Sequence, residues 1–457
     1  HTWTASVTVS FYSYFFPAGS TDIYAIDIAD MQVEINQPQA TPFVVGTRSQ
    51  NTNWVDLSGN SNDASLTNTP VFEKESKALN FDGEDQYATI DSDAAFTVNT
   101  RTVEMTFKMN GTYANFAPLA TYANGSSTSN RIWLGLQNSK WQMHGWGTTD
   151  PTATTTIIAD GWYTCVFSYN GNAVQQMKLY TNGQLESTTT NTQGGVVGVN
   201  GNNWYLATIP GGWQSQTYSA MSINSFKVYS RILTDDEVKS NFFGGSIVTD
   251  NLVLAADAGN LTSYESGSTT MYSMTGSVEG DLENGVGFTF DNGGGWIFDG
   301  TDDYIDLGNQ SLISGDFCID LWYQLTETKS EHYIFTTGYN NAGSILIFSG
   351  GIWLNSSATD GRMPGAPGGT INEITNITVE RTNGVAKWYK NGIYQYSLSY
   401  SGAISSNTNY SIGWAVPRNK ASAYMSGNFY SVKMYDRGFT AEEVQQNYIA
   451  LKPRFPS

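Results

Sequence analysis

A chain of 457 residues with a net charge of −19, only 14% charged residues, 14% aromatics and 46 glycines takes its polarity from hydroxyls and amides. The acidic balance, with no Lys/Arg cluster against it, excludes nucleic-acid binding, which needs a basic footprint. No apolar run approaches the ~18 residues of a membrane span, so insertion into a bilayer is not expected.

The chain opens on residues 1–42, where Thr4–Ser10, Tyr24–Ile28 and Met31–Ile35 alternate with the period of strands. Three strands are too few for a sandwich, so this stretch is expected to be the closing part of a further β-sandwich. Its apolar positions Val7, Val9, Phe11, Ile26 and Ile28 must be buried against something, and Pro38 to Pro42 form a stiff connector.

Residues 43–244 then read as a first all-β domain with strands at 78–82, 86–90, 102–109, 131–136, 162–169, 174–181, 203–208 and 221–230. Asn170-Gly171 and Asn182-Gly183 are hairpin signals, because Asn and Gly accept the positive φ of a tight turn. The domain ends in a helix announced by Thr234-Asp235-Asp236-Glu237, a capping box with acids suited to the positive end of the helix dipole. Gly244-Gly245 reads as a hinge. Residues 245–457 form the second domain, from the apolar strand Leu252–Ala256 to a helix with the same device, Thr440-Ala441-Glu442-Glu443.

The two domains say the same things in the same order. Phe81-Asp82-Gly83-Glu84-Asp85-Gln86-Tyr87 answers to Phe298-Asp299-Gly300-Thr301-Asp302-Asp303-Tyr304, an Asp-Gly turn between two apolar runs. Val103–Phe107 answers to Ile319–Tyr323, Lys178–Gly183 to Lys387–Gly392, and Tyr229-Ser230-Arg231 to Tyr435-Asp436-Arg437. The chain is a tandem duplication. Cys165 and Cys318 do not correspond between the copies and are expected to be buried, reduced thiols.

Candidate chemistry is sparse. His1, His144 and His332 have no partner at metal-ligand spacing. Gly293-Gly294-Gly295 lacks the lysine and helix of a phosphate loop and reads as a turn. Asp299, Asp302, Asp303 and Asp306 offer oxygens to calcium, with Asp82, Asp85 and Asp91 in the first copy, although a turn built by Asp-Gly accounts for the same residues and is preferred. Sugar rings stack on aromatics while amides and charged groups take their hydroxyls. That mix occurs at Trp141, His144 and Trp146, at Trp213, and at Trp414 with Arg418; for each tryptophan, packing in the core is the competing role.

Asn251–Leu254, Asp257–Asn260, Ser263-Tyr264, Phe298-Asp299-Gly300, Asp302-Asp303-Tyr304, Asn391-Gly392 and the closing Tyr435-Asp436-Arg437 resemble the concanavalin A-like lectin/glucanase superfamily in its laminin-G-like form. The resemblance implies two tandem jelly-roll β-sandwiches preceded by the closing strands of another. Glucanases of that class carry Glu-x-Asp-x-x-Glu on one strand, whereas Glu104, Asp320 and Glu380 each stand alone here, so a non-enzymatic chain is expected. Ala40–Phe43 and Gly46–Ser49 resemble the link by which carbohydrate-binding-like sandwiches run into such domains, and chains with this link and this closing helix resemble tailed-bacteriophage virion proteins. This implies a fibre, tail appendage or capsid decoration, built in host cytoplasm and exposed on the virion. Its implied partners are capsid or tail proteins, host-surface glycan and further copies of the chain, with residues 1–42 as the attachment. The alternative is a secreted bacterial adhesin or an accessory carbohydrate-binding module of a polysaccharide-degrading enzyme.

Overall fold

The computed structural model describes residues 53–455 apart from 59, 74–75, 92–99, 114, 124–130, 146–148, 172–174, 192–201, 212–216, 277, 330, 339–342, 355–360, 366–368 and 416–422. The strands expected within 1–42 lie outside these. Residues from Asn51 onward form one compact unit. It is all-β with two short closing helices.

The first copy folds as two antiparallel sheets. One runs in the order 53–54, 64–67, 87–90, 203–206, 116–123, 132–137, 140–145, 152–156, and the other 184–190, 176–181, 162–170, 100–109, 220–229, 78–82, 71–73. The second copy repeats both: 270–272, 279–283, 304–310, 408–412, 333–336, 345–348, 351–354, 361–363, facing 393–399, 385–390, 374–382, 317–325, 426–435, 295–299, 287–289. Alternation makes the layers. Along Thr100–Met109, Met105, Phe107 and Met109 are buried while Thr106 and Lys108 are half-exposed, so one row fills the core and the other faces outward. The cores are separate, Trp204, Phe107 and Leu179 lying in the first and Trp296, Tyr323 and Ile377 in the second.

The Asn182-Gly183 turn joins its strands with φ of 49° and 76°, values Asn and Gly adopt at little cost. Cys165 and Cys318 are buried free thiols whose pKa burial pushes up. The copies differ at one edge. In the second, Leu252–Asp257 pairs with Ser431–Tyr435. In the first, the matching half of Ala220–Tyr229 gains no second neighbour among the described residues, since its partner strand ends its pairing at Ile223. Trp54, Leu57, Phe226 and Val228 line a groove of about 690 Å³ there.

Helix α1 (Asp235–Phe243) and helix α2 (Ala441–Leu451) both start with the complete capping box. Thr234 Oγ1 accepts from Glu237 N at 3.2 Å while the Glu237 carboxylate takes Thr234 N at 2.9 Å, and Thr440 and Glu443 do the same at 3.3 and 2.9 Å. Arg231 and Arg437 each grip the capping glutamate with two bonds. The Arg231 guanidinium and the Thr234 amide hold Glu237 at about 2, and Arg437 lowers Glu443 in the same direction. A carboxylate depressed in the folded state stabilises above its unfolded pKa, near 4.5, and loses that contribution as pH falls toward the folded value. The urea midpoint should therefore fall between pH 4.5 and about 2, and fall less steeply in Glu237→Gln/Glu443→Gln. Parallel titrations of the two proteins at pH 7, 4 and 2.5 check this.

Gly244-Gly245 is not a free hinge. Gly244 is the left-handed cap of α1, with φ 74°, and a Cβ on Gly245 would meet the Ala450 carbonyl of α2 at 2.5 Å. Phe242 and Phe243 at the end of α1 pack with Ile247, Ala255 and Met274 of the second copy. Lys108 reaches across to Glu265 at 2.8 Å, and Asn260 Nδ2 donates to Phe242 O at 2.8 Å. The closing helix of one sandwich is thus part of the seat of the other.

Candidate functional site

On the side away from its core, the long sheet of each copy carries a row of residues that the pairing register aligns, among which Thr121, Trp133, Thr336, Leu346 and Ser411 are themselves covered. In the first copy it runs Asn53, Ser65, Thr89, Tyr205, Thr121, Trp133, His144. In the second it runs Thr270, Asp281, Asp306, Ser411, Thr336, Leu346, Trp353, Arg362. His144 therefore holds the position that Trp353 holds in the duplicate. The His144 ring bonds to the Asp150 carboxylate through Nδ1, and the Arg362 guanidinium lies 4.3 Å from the Trp353 ring centre.

Beside each row, next to the Asp-Gly turn, stands an aromatic ledge. Tyr87 and Tyr218 face each other at 6.2 Å in the first copy. Tyr304 and Tyr424, their counterparts, are 6.5 Å apart, and Trp414 joins them, stacked on Tyr424 at 4.7 Å and 5.4 Å from Tyr304. All five rings are half-buried. The charges of Glu283 and Asp306 act on the Tyr304 hydroxyl and that of Asp302 on Tyr424, each adding to the upward push of burial. Half-exposed aromatic rings beside carboxylates offer a pyranose an apolar surface to stack on and acceptors for its hydroxyls.

The tryptophans expected from sequence divide. Trp414 is on the ledge. Trp141 is 2% exposed, within the core, so it offers no ring to a ligand. It alternates with Gln142 and His144, which take the outer side, and Met143 accompanies it inward. Trp146, Trp213 and Arg418 lie outside the described residues. Tyr87, Tyr218, Tyr304 and Tyr424 were not singled out by the sequence reading, although Tyr87 and Tyr304 are the last residues of the repeated phrase.

The acidic turn has a structural explanation. Asp299, Asp302 and Asp303 bring one carboxylate oxygen each within 4.8 Å of one another. Asp299 Oδ1 accepts from Thr301 N at 2.7 Å, and Asp303 Oδ2 accepts from Asp299 N at 2.9 Å. In the first copy Asp82 accepts from Glu84 N at 2.9 Å, and the neutral Gln86 takes the place of Asp303, accepting from Asp82 N at 3.1 Å. The turn therefore closes without the third charge. Asp306 points its Oδ1 to Gly308 N and Asn409 Nδ2, away from the trio. Asp299, Asp302 and Asp303 would supply part of the six to eight oxygens calcium takes, carbonyls and water the rest.

Acids that resemble catalytic ones are sealed. Asp320 and Glu380 share one face of neighbouring strands, and both are fully buried under α2. Asp320 accepts from Asn376 Nδ2 at 2.6 Å and Thr378 Oγ1 at 3.1 Å, and Glu380 binds Lys387 at 2.9 Å. Glu104, in the equivalent place, is bound by Lys227 at 2.5 Å and by Asn241 of α1 at 2.7 Å. His332 is buried too; it accepts from Ser426 N through Nδ1, so its Nε2 donates to Glu327 O, and burial lowers its pKa. The Gly293-Gly294 turn cradles Arg454, whose Nε donates to Asn292 O at 2.7 Å and whose Nη1 holds Asp257 at 2.6 Å. No helix among the described residues is long and apolar enough to cross a membrane.

Two stacked pairs of antiparallel sheets, each with an outward row and a closing helix, define a lectin-like jelly-roll protein. The chain belongs to the concanavalin A-like lectin/glucanases superfamily, whose Laminin_G_3 profile matches residues 82–239 and 299–445. It is similar to domain 4 of AbnA, an extracellular arabinanase from Geobacillus stearothermophilus solved with arabinotriose (16% identity, 43% of this chain and 98% of that one, TM-score 0.36). It is similar also to domains LG4-5 of the mouse laminin α1 chain (13%, 81% and 93%, 0.28). A third is CBM40 of Ruminococcus gnavus IT-sialidase, bound to α2,3-sialyllactose (16%, 36% and 96%, 0.30). No curated protein matches.

Proposed function

We propose that this chain is a non-enzymatic virion structural protein of a tailed bacteriophage, a fibre, tail appendage or capsid decoration, that binds host-surface glycan through its jelly rolls. The observation that carries the binding role is the duplicated ledge, Tyr87 with Tyr218 and Tyr304 with Tyr424 and Trp414. Aromatic groups stand in the same position of both copies, and in the second copy Glu283, Asp302 and Asp306 lie beside them, which supplies the two kinds of contact a sugar ring takes. His144 and Trp353, both half-exposed, offer further polar and aromatic contacts beyond the covered residues of the same row. The absence of hydrolysis is supported by Glu104, Asp320 and Glu380, each covered and bonded where glycosidases need two accessible carboxylates. The virion setting rests on the likeness of the link and closing helices to phage proteins, and the free thiols suit assembly in a reducing cytoplasm. Capsid or tail genes beside the reading frame support it; an upstream secretion signal supports the adhesin instead.

Incubated with a panel of bacterial, plant and algal polysaccharides, the purified chain should be retained by at least one and should release no new reducing ends. Retention by none would refute the binding role. Release that disappears in Glu104→Gln or Asp320→Asn would make the protein an enzyme.

A further inference from the structure

Between the two sandwiches lies a cleft of about 390 Å³. One wall is the edge of the first copy, with Ser76, Lys77 and Asn224; the other comes from the second, with Tyr264, Phe288 and Phe290. The contacts of α1 with the second copy hold these walls apart at a set distance. Phe288 and Phe290, both half-exposed, meet edge to face at 5.0 Å, and Phe288 lies 5.3 Å from Tyr264, which is buried behind it. An apolar floor of this kind in a polar, aqueous cleft is where the apolar face of a sugar rests.

The charges in the cleft are unequal. Its two carboxylates are occupied, Glu104 by Lys227 at 2.5 Å and Asp257 by Arg454 at 2.6 Å. Lys77 has no carboxylate partner among the described residues; its ammonium stands 5.0 Å over the Phe290 ring. Partial burial, and then the nearby Arg454 charge, lower its pKa, a shift that an incoming anion would oppose, and the side chain is open to solvent. In a protein of net charge −19 this is a positive position built beside an aromatic floor.

We propose that the cleft is a second binding site, separate from the ledges, for a saccharide bearing a carboxylate. Lys77 holds the carboxylate and Phe288 and Phe290 carry the ring. A uronate and a nonulosonate share this chemistry.

The test is calorimetric titration of the full chain with trigalacturonate and with sialyllactose, against lactose as the neutral probe. At least one acidic sugar should bind tenfold or more tightly than lactose; which one identifies the source of the carboxylate. Lys77→Met and Phe290→Ala should each weaken that binding at least tenfold, and Lys77→Arg should retain it. Equal affinity for lactose, full binding by Lys77→Met, or displacement by acetate at equal concentration, which would mean an adventitious ion only, overturns the proposal. Because Lys77 and Phe290 line the cleft and neither belongs to a ledge, loss in their variants reports the cleft and is distinguishable from loss of the ledges.

Discussion

Replacing Lys433 by Met should destabilise the second sandwich by at most about 3–5 kcal/mol, the cost of leaving a buried charge without its counterpart, less the relief of a buried ammonium that makes no hydrogen bond of its own. That corresponds to a fall in Tm on the order of 10 °C for a domain of this size. Lys433 is 3% exposed and stands directly across from Asp320, which is fully buried. Burial raises the Asp320 carboxyl and lowers the Lys433 ammonium, and the charge of each works against the shift of the other. With the ammonium gone, Asp320 keeps Asn376 and Thr378 but no opposing charge. The double variant Lys433→Met/Asp320→Leu should recover most of the loss, since apolar replacement of a buried charge pair is often neutral. At the equivalent place in the first copy, Lys227 is 47% exposed and Glu104 keeps its bond to Asn241, so Lys227→Met should cost below about 2 kcal/mol. Thermal and urea unfolding of the four proteins check the series; a Lys433→Met protein as stable as the parent would mean the pair is carried neutral.

The Lys433 environment also shows what was legible beforehand. The correspondence of Tyr229 with Tyr435, Glu237 with Glu443 and Asn241 with Asn447 places equivalent groups under both closing helices: Asn241 bonds Glu104 and Tyr229, and Asn447 bonds Tyr435. The capping boxes, the Asp-Gly turns and the longer alternating strands were all readable, because each depends on contacts local in sequence. Phe116–Ala123 was not, since Pro118 interrupts its pattern; the chain accommodates it at an irregularity in pairing between Pro118 and Ala120. Gln184–Thr190 escaped because an exposed edge strand carries no apolar alternation. Direction was the harder problem for the site. A strand pattern says which residues alternate and leaves open which set faces the core, so Trp141 resembled a platform while packing inward. The ledge is assembled from Tyr304, Trp414 and Tyr424, which only the pairing of strands 304–310 and 408–412 brings together. Gly244-Gly245 resembled a hinge because its packing partner, Ala450, lies at the other end of the second copy.

Removing the Trp414 side chain should cost glycan binding about 2 kcal/mol, roughly 30-fold in affinity, as expected for a central aromatic contact. Trp414 stacks on Tyr424 at 4.7 Å and is itself half-buried, so Trp414→Ala carries a stability cost that must be measured separately by its thermal transition. Tyr87→Ala at the smaller ledge should weaken binding less, since no tryptophan joins that pair among the described residues. The most direct measurement is capture of the full chain on printed bacterial, plant and algal polysaccharides, compared with Tyr87→Ala/Tyr218→Ala/Trp414→Ala/Tyr424→Ala. The parent should be captured by at least one polysaccharide, and the variant, with its cooperative transition retained, should lose that capture. Equal capture of both proteins would contradict the assignment of glycan binding to the ledges.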